Sequence, residues 1–103
     1  MKVYVVSIEN WNTIDDYESK CYIEKIFRDV DSAIQFVKDL DPKAHSGCTS
    51  YVKGVGCDKT TIYEGSEKDD YTTVMIRQVE FDIGKHSWAE GINIRIDKYE
   101  VEE

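Results

Sequence analysis

The sequence predicts an α+β domain in which an antiparallel β-sheet carries one main helix on one face, in the order β-β-α-β-β-β. Three observations predict it. A single strong helical period, Val30 to Leu40, places Ala33, Phe36, Val37 and Leu40 in one apolar stripe widened by Val30 and Ile34. Short runs of β-branched and aromatic residues between turn formers fill most of the rest. No linker, internal repeat or second helix of comparable strength interrupts them, so residues 1–103 read as one domain and a ferredoxin-like βαββαβ order is the weaker alternative.

Taken in order, Lys2 to Glu9 is almost wholly β-branched or aromatic with little alternation, as expected of a central strand covered on both faces. Residues 10–19, rich in acids and turn formers, read as a long hairpin loop carrying Trp11 and Tyr17. Cys21 to Phe27 alternates, with Cys21, Ile23 and Phe27 on one side and Tyr22, Glu24 and Ile26 on the other. That makes a second strand antiparallel to the first, with Cys21 in the core. Asp29 is placed to cap the helix, Asp31 favours the positive end of its dipole, and Pro42 stops it near Leu40. From Lys43 to Lys59 the pattern weakens, which predicts loop with at most a short strand at 50–53. Thr60 to Glu64 and Tyr71 to Ile83 read as strands joined by a polar turn, and Val79, Phe81 and Ile83 share one face of the longer one. Trp88 falls in a connection, and Ile92, Ile94 and Ile96 define a last strand. The change of apolar parity before Tyr99 and Val101 predicts a bulge or a strand changing surface.

A formal charge of −8 repels phosphate backbones and anionic lipid, so direct nucleic-acid or membrane binding is not expected; it attracts a basic protein, including one that itself holds nucleic acid. The first residues are too short an apolar run for a signal peptide or membrane span. Three irregularly spaced cysteines do not make a disulfide framework. A reducing cytoplasm is the expected setting.

The opening Lys2-Val3-Tyr4-Val5-Val6, the passage Ile26-Phe27 into Asp31-Ser32-Ala33-Ile34-Gln35-Phe36-Val37, and the ending from Ile94 to Glu103 resemble short ββα proteins of phages and prophages that close on an acidic strand. The resemblance covers about half of the chain, and Lys43 to Gly91 departs from it. It implies a mobile-element context and, with that, a host cytoplasm. Small acidic proteins that block host defence enzymes, anti-CRISPR proteins among them, belong to that context.

The expected function is non-enzymatic binding of a basic protein surface, as an inhibitor or regulator. The candidate contact residues are Trp11 with Asp15, Asp16, Tyr17 and Glu18; Glu64, Glu67, Asp69 and Asp70; and Trp88. Nucleic-acid mimicry is the sharper version. Carboxylates two apart on a strand sit about 6.6 Å apart against ~3.4 Å per phosphate, so one strand is too sparse. Mimicry therefore needs the 9–18 loop, the 64–70 turn and the Glu100, Glu102, Glu103 tail on one face. No catalytic residue, metal or cofactor is assigned. An alternative is a small zinc-dependent or nucleotide-handling enzyme using His45, Cys48, Cys57 and His86, although their spacing is not that of paired zinc knuckles. Gly54 to Thr60 likewise lacks the spacing of a phosphate loop. A third reading is a self-assembling accessory protein, with a strand edge as the route to a homodimer or to β-addition.

Overall fold

The computed structural model describes residues 1–13, 20–46, 51–63 and 72–102, with Lys20 by its backbone alone. Strands β1 (Lys2–Asn12) and β2 (Lys20–Phe27) precede helix α1 (Val30–Asp39) and a 3-10 turn at Pro42–His45. Strands β3 (Gly54–Ile62), β4 (Thr73–Asp82) and β5 (Glu90–Glu100) follow. The five strands form one antiparallel sheet in the order β2-β1-β5-β4-β3. This is the expected α+β architecture, and it differs from the expected series in the 3-10 turn inserted after the helix. The chain leaves the sheet at its β2 edge and rejoins it at its β3 edge. Four strand spacings make that span about 19 Å, which a ten-residue helix of about 15 Å and one further turn can cover.

Helix α1 forms where the apolar period predicts it. Asp29 caps it: its Oδ2 accepts from the Ser32 amide at 2.9 Å and from the Ser32 hydroxyl at 2.8 Å. Ala33 and Val37 are fully buried against Val6 and Ile8 of β1, Met75 and Val79 of β4, and Ile92, Ile94 and Ile96 of β5. Phe27 and Phe36 close one flank with ring centroids 5.3 Å apart, and the Lys25 ammonium lies over both rings.

Among the described residues Arg77 is the one buried charged side chain, 8% exposed on the covered face of β4. Its Nε and Nη2 grip the Asp58 carboxylate of β3 bidentately, at 3.0 Å to Oδ1 and 2.6 Å to Oδ2. Its Nη1 donates to the carbonyls of Val37 (2.7 Å) and Leu40 (2.9 Å). These carbonyls are among those that a helix end leaves without partners.

Several expectations are corrected. Strand β1 is interior but not central, since β5 holds the middle, and only Val6 and Ile8 of β1 are buried, on one face. It also runs on through Asn12, so Trp11 lies in a strand and not a loop. Residues 54–59, expected as loop, belong to β3; as an edge strand exposed on both faces it needs no apolar alternation. In β2 a bulge skips Glu24, pairing Val6 with Lys25 and Ser7 with Ile23. The bulge turns Cys21, Ile23 and Ile26 to the uncovered face and leaves Tyr22, Lys25 and Phe27 on the helix side; Cys21 is therefore exposed and not core. Strand β5 pairs with β1 without a register shift as far as Glu100, so the parity change at Tyr99 is a change of face and not a bulge.

Replacing Arg77 with Met is expected to destabilise the fold by about 3 kcal/mol, because it strands two helix-end carbonyls and removes the partner of Asp58. Asp58→Asn keeps an acceptor and should cost less; urea unfolding of both variants checks the order. The Ser32 side-chain and backbone donors hold the Asp29 carboxyl below its ordinary value of 3.8. Its cap therefore contributes fully above that value and is lost as pH falls through the depressed one. The difference in urea midpoint between wild type and Asp29→Ala should shrink along that descent.

Candidate functional site

Both tryptophans gather at one end of the sheet. Trp11 is paired with Gly91 across β1 and β5, and a β-carbon at Gly91 would collide with the Trp11 ring and with the Val79 carbonyl oxygen. The indole is thus laid flat on a strand that only glycine allows it to approach. Two residues on, the Thr13 amide donates to the Ala89 carbonyl at 3.0 Å, and the Ala89 amide donates to the Thr13 hydroxyl at 2.9 Å. This tie holds the 83–89 connection against the end of β1.

The connection presents Trp88, whose Nε1 donates to Glu90 Oε1 at 2.9 Å. One side of Trp88 packs against the core. Its ring also meets His86 at 4.4 Å between centroids and Tyr51 edge-on at 5.3 Å, while Tyr51 meets His86 edge-on at 5.0 Å. Tyr51 is 43% exposed and His86 is exposed, so this is a preassembled aromatic surface. The 83–89 connection is turned tightly at its start: Gly84 adopts φ +74, and its amide donates to Asp82 Oδ1 at 3.0 Å. The Lys53 side chain lies against Gly84, and the Lys53 amide donates to the Asp82 carbonyl at 2.7 Å.

Of the residues singled out in the sequence, Trp11 and Trp88 are thus brought to one end of the molecule. Asp15, Asp16, Tyr17 and Glu18 lie outside the described residues, but the chain on both sides of them, Thr13 and Lys20, belongs to this same end. Glu64, Glu67, Asp69 and Asp70 also lie outside the described residues. Their described flanks, Tyr63 and Thr72, sit at the opposite end beside Lys98, as do Glu100 and Glu102. Along an eleven-residue strand the two ends are about 30 Å apart. Many described acids are meanwhile engaged within the fold: Asp29 and Asp41 cap helical turns, Asp58 holds Arg77, Glu90 holds Trp88, and Asp97 accepts from Thr73 and Arg95.

The residues of the zinc alternative are dispersed. His45 Nδ1 is 3.2 Å from the Tyr22 hydroxyl, His86 is stacked in the aromatic cluster, and Cys57 is an exposed thiol on β3. Desolvation, with the Glu24 carboxylate, raises the Tyr22 phenol above its ordinary value. Cys48 lies outside the described residues, and among the described residues no three His, Cys, Asp or Glu side chains form a group that could hold a metal. The aromatic contacts of Tyr51 were not foreseen; it follows an irregular passage, and its partners are separated from it by two strands.

Fold and site together define an α+β protein whose helix covers one face of the sheet and whose two tryptophans, with Tyr51 and His86, lie at one end of it. Comparisons with protein-family models, curated proteins and solved structures find no match. Among the described residues no helix is long and apolar enough to cross a membrane.

Gly91→Ala should destabilise the protein by about 3 kcal/mol, at the upper end of overpacking costs. Adding Trp11→Ala should not restore stability, because the Val79 carbonyl remains in the way; thermal unfolding of the single and double variants distinguishes ring from backbone as the obstacle.

Proposed function

We propose that this chain is a small non-catalytic binding protein that engages a basic protein surface through its aromatic end. The observation that carries the reading is the segregation of charge. Asp15, Asp16 and Glu18 in one segment, and Glu64, Glu67, Asp69 and Asp70 against Lys68 in another, account for most of the charge of −8 and leave the rest close to neutral. The first of these segments joins described chain beside Tyr51, His86 and Trp88. An acidic segment whose described flanks lie at the end that bears exposed rings suits the lysine and arginine side chains of a partner, by long-range attraction first and cation–π contact after it.

Two acidic segments whose described flanks lie about 30 Å apart favour attraction over imitation of a regular phosphate ladder. A role as inhibitor or regulator, of the kind the phage-type resemblance implies, follows if the basic surface is one that its owner uses for nucleic acid.

Titration with a deca-arginine peptide, read by tryptophan fluorescence, tests the proposal. Binding is expected to weaken about tenfold as ionic strength rises from ~0.05 to ~0.2 M. Tyr51→Ala should weaken it about fivefold, the worth of one exposed cation–π contact. No binding, or binding indifferent to salt and to Tyr51, overturns it.

A further inference from the structure

We infer that two copies of the chain associate face to face through the uncovered side of the sheet. Among the described residues, helix α1 and the 3-10 turn cover one face only. On the other, the register aligns Val5 with Ile26 of β2, and Val3 with Tyr99 of β5. Ile23 stands beside Ser7 in the next row. Ile23 is 64% exposed, Ile26 56% and Tyr99 50%. Met1 and Val101, both exposed and joined by the Val101 amide donating to the Met1 carbonyl at 2.7 Å, extend the stripe to the sheet end.

Together these side chains leave on the order of 500 Å² of apolar surface in contact with water, at the upper range of what a monomer's largest patch shows. A standard interface takes roughly 800 Å² from each partner, and Ser7 with Arg95 opposite it, and Asp97 opposite Val5, supply the remainder as a polar rim on the same face.

The occupant follows from symmetry and charge. The stripe has isoleucines on its β2 side and a tyrosine on its β5 side, so a two-fold rotation lays Ile23 and Ile26 of each copy on Tyr99 of the other. Arg95 and Asp97 share this face, with Arg95 Nη2 only 3.3 Å from Asp97 Oδ1, and Arg95 is half-exposed. The same rotation therefore sets opposite charges against each other across the axis. The side chains of the stripe are apolar, and the carboxylate that borders it, Asp97 opposite Val5, is already paired with Arg95, so it offers little to the basic partner proposed above. Most of the net charge of −8 belongs to residues 15–18 and 64–70, none of which is among the residues of the stripe.

Association through the edges is disfavoured by the sheet itself. Strand β2 is bulged at Glu24 and β3 at Gly56, so each outer strand presents a broken row of amides and carbonyls to any added strand. The expected edge-to-edge homodimer therefore gives way to one through the face.

Sedimentation equilibrium of the intact chain decides the matter. The expected mass is twice the chain mass of 11.9 kDa. Salt should tighten the dimer by screening the acidic segments, whereas it weakens the binding of a basic peptide, so the two proposals can fail separately. Ile23→Glu and Tyr99→Glu should each raise the dissociation constant at least tenfold with an unchanged circular dichroism spectrum, while Ile62→Glu on β3 leaves it as in wild type. Ile23→Thr, which keeps a β-branched strand residue, replaces the charged variant if that variant does not fold. A monomer at every salt concentration, or a dimer that survives both substitutions, overturns the inference.

Discussion

The contact between Arg77 and the end of helix α1 is the constraint on which the packing of this protein depends. A ten-residue helix has little stability of its own and must be held by what it covers. Its apolar stripe, from Ala33 through Val37 to Leu40, is held by the core, but the carbonyls of its last turn still need partners. Arg77 resolves this by using one planar group three ways: it satisfies two helix-end carbonyls, it fixes the edge strand through Asp58, and it extends its aliphatic stem along the core beside Met75 and Val79. Lysine could not satisfy the same partners, since its ammonium lacks the fork that meets a carboxylate bidentately while still reaching two carbonyls.

What the sequence disclosed follows the range of the interactions involved. The helix, its Asp29 cap and strands β4 and β5 are written in local periods, because each has one wet and one dry side. Strand β3 is not, because an edge strand exposed on both faces imposes no alternation and shows only as a weak pattern of Gly, Thr and charge. The β2 bulge was equally hidden: one unpaired residue moves Ile26 from the covered side to the open one, and only the pairing with β1 reveals it. Arg77 was within reach, since its parity with Met75, Val79 and Phe81 places a charge in an apolar row, which is itself a signal of a buried partner.

The candidate site divides along the same line. Trp88 falls in a connection as its context predicts, whereas the strand position of Trp11 depends on Gly91, eighty residues along the chain. The acidic segments could be counted from composition. Their flanks could not be assigned to ends of the sheet without knowing that β1 lies between β2 and β5. Charge is a property of the list of residues, whereas convergence is a property of topology.

The pairing of β1 with β5 also bears on how the molecule comes to exist. Lys2 lies opposite Glu100 and Asn12 opposite Glu90, so the two innermost strands of this half of the sheet are drawn from remote parts of the chain. A chain emerging from the ribosome can form the β1–β2 hairpin early. It cannot close the sheet until β5 has been made, and until then Val6 and Ile8 have helix α1 to pack against but lack Ile92, Ile94 and Ile96 beside them. Such wide sequence separation places the protein among slow-folding topologies and leaves its nascent form exposed to aggregation. For this protein the interval of synthesis, more than the finished fold, is where a chaperone has most to protect.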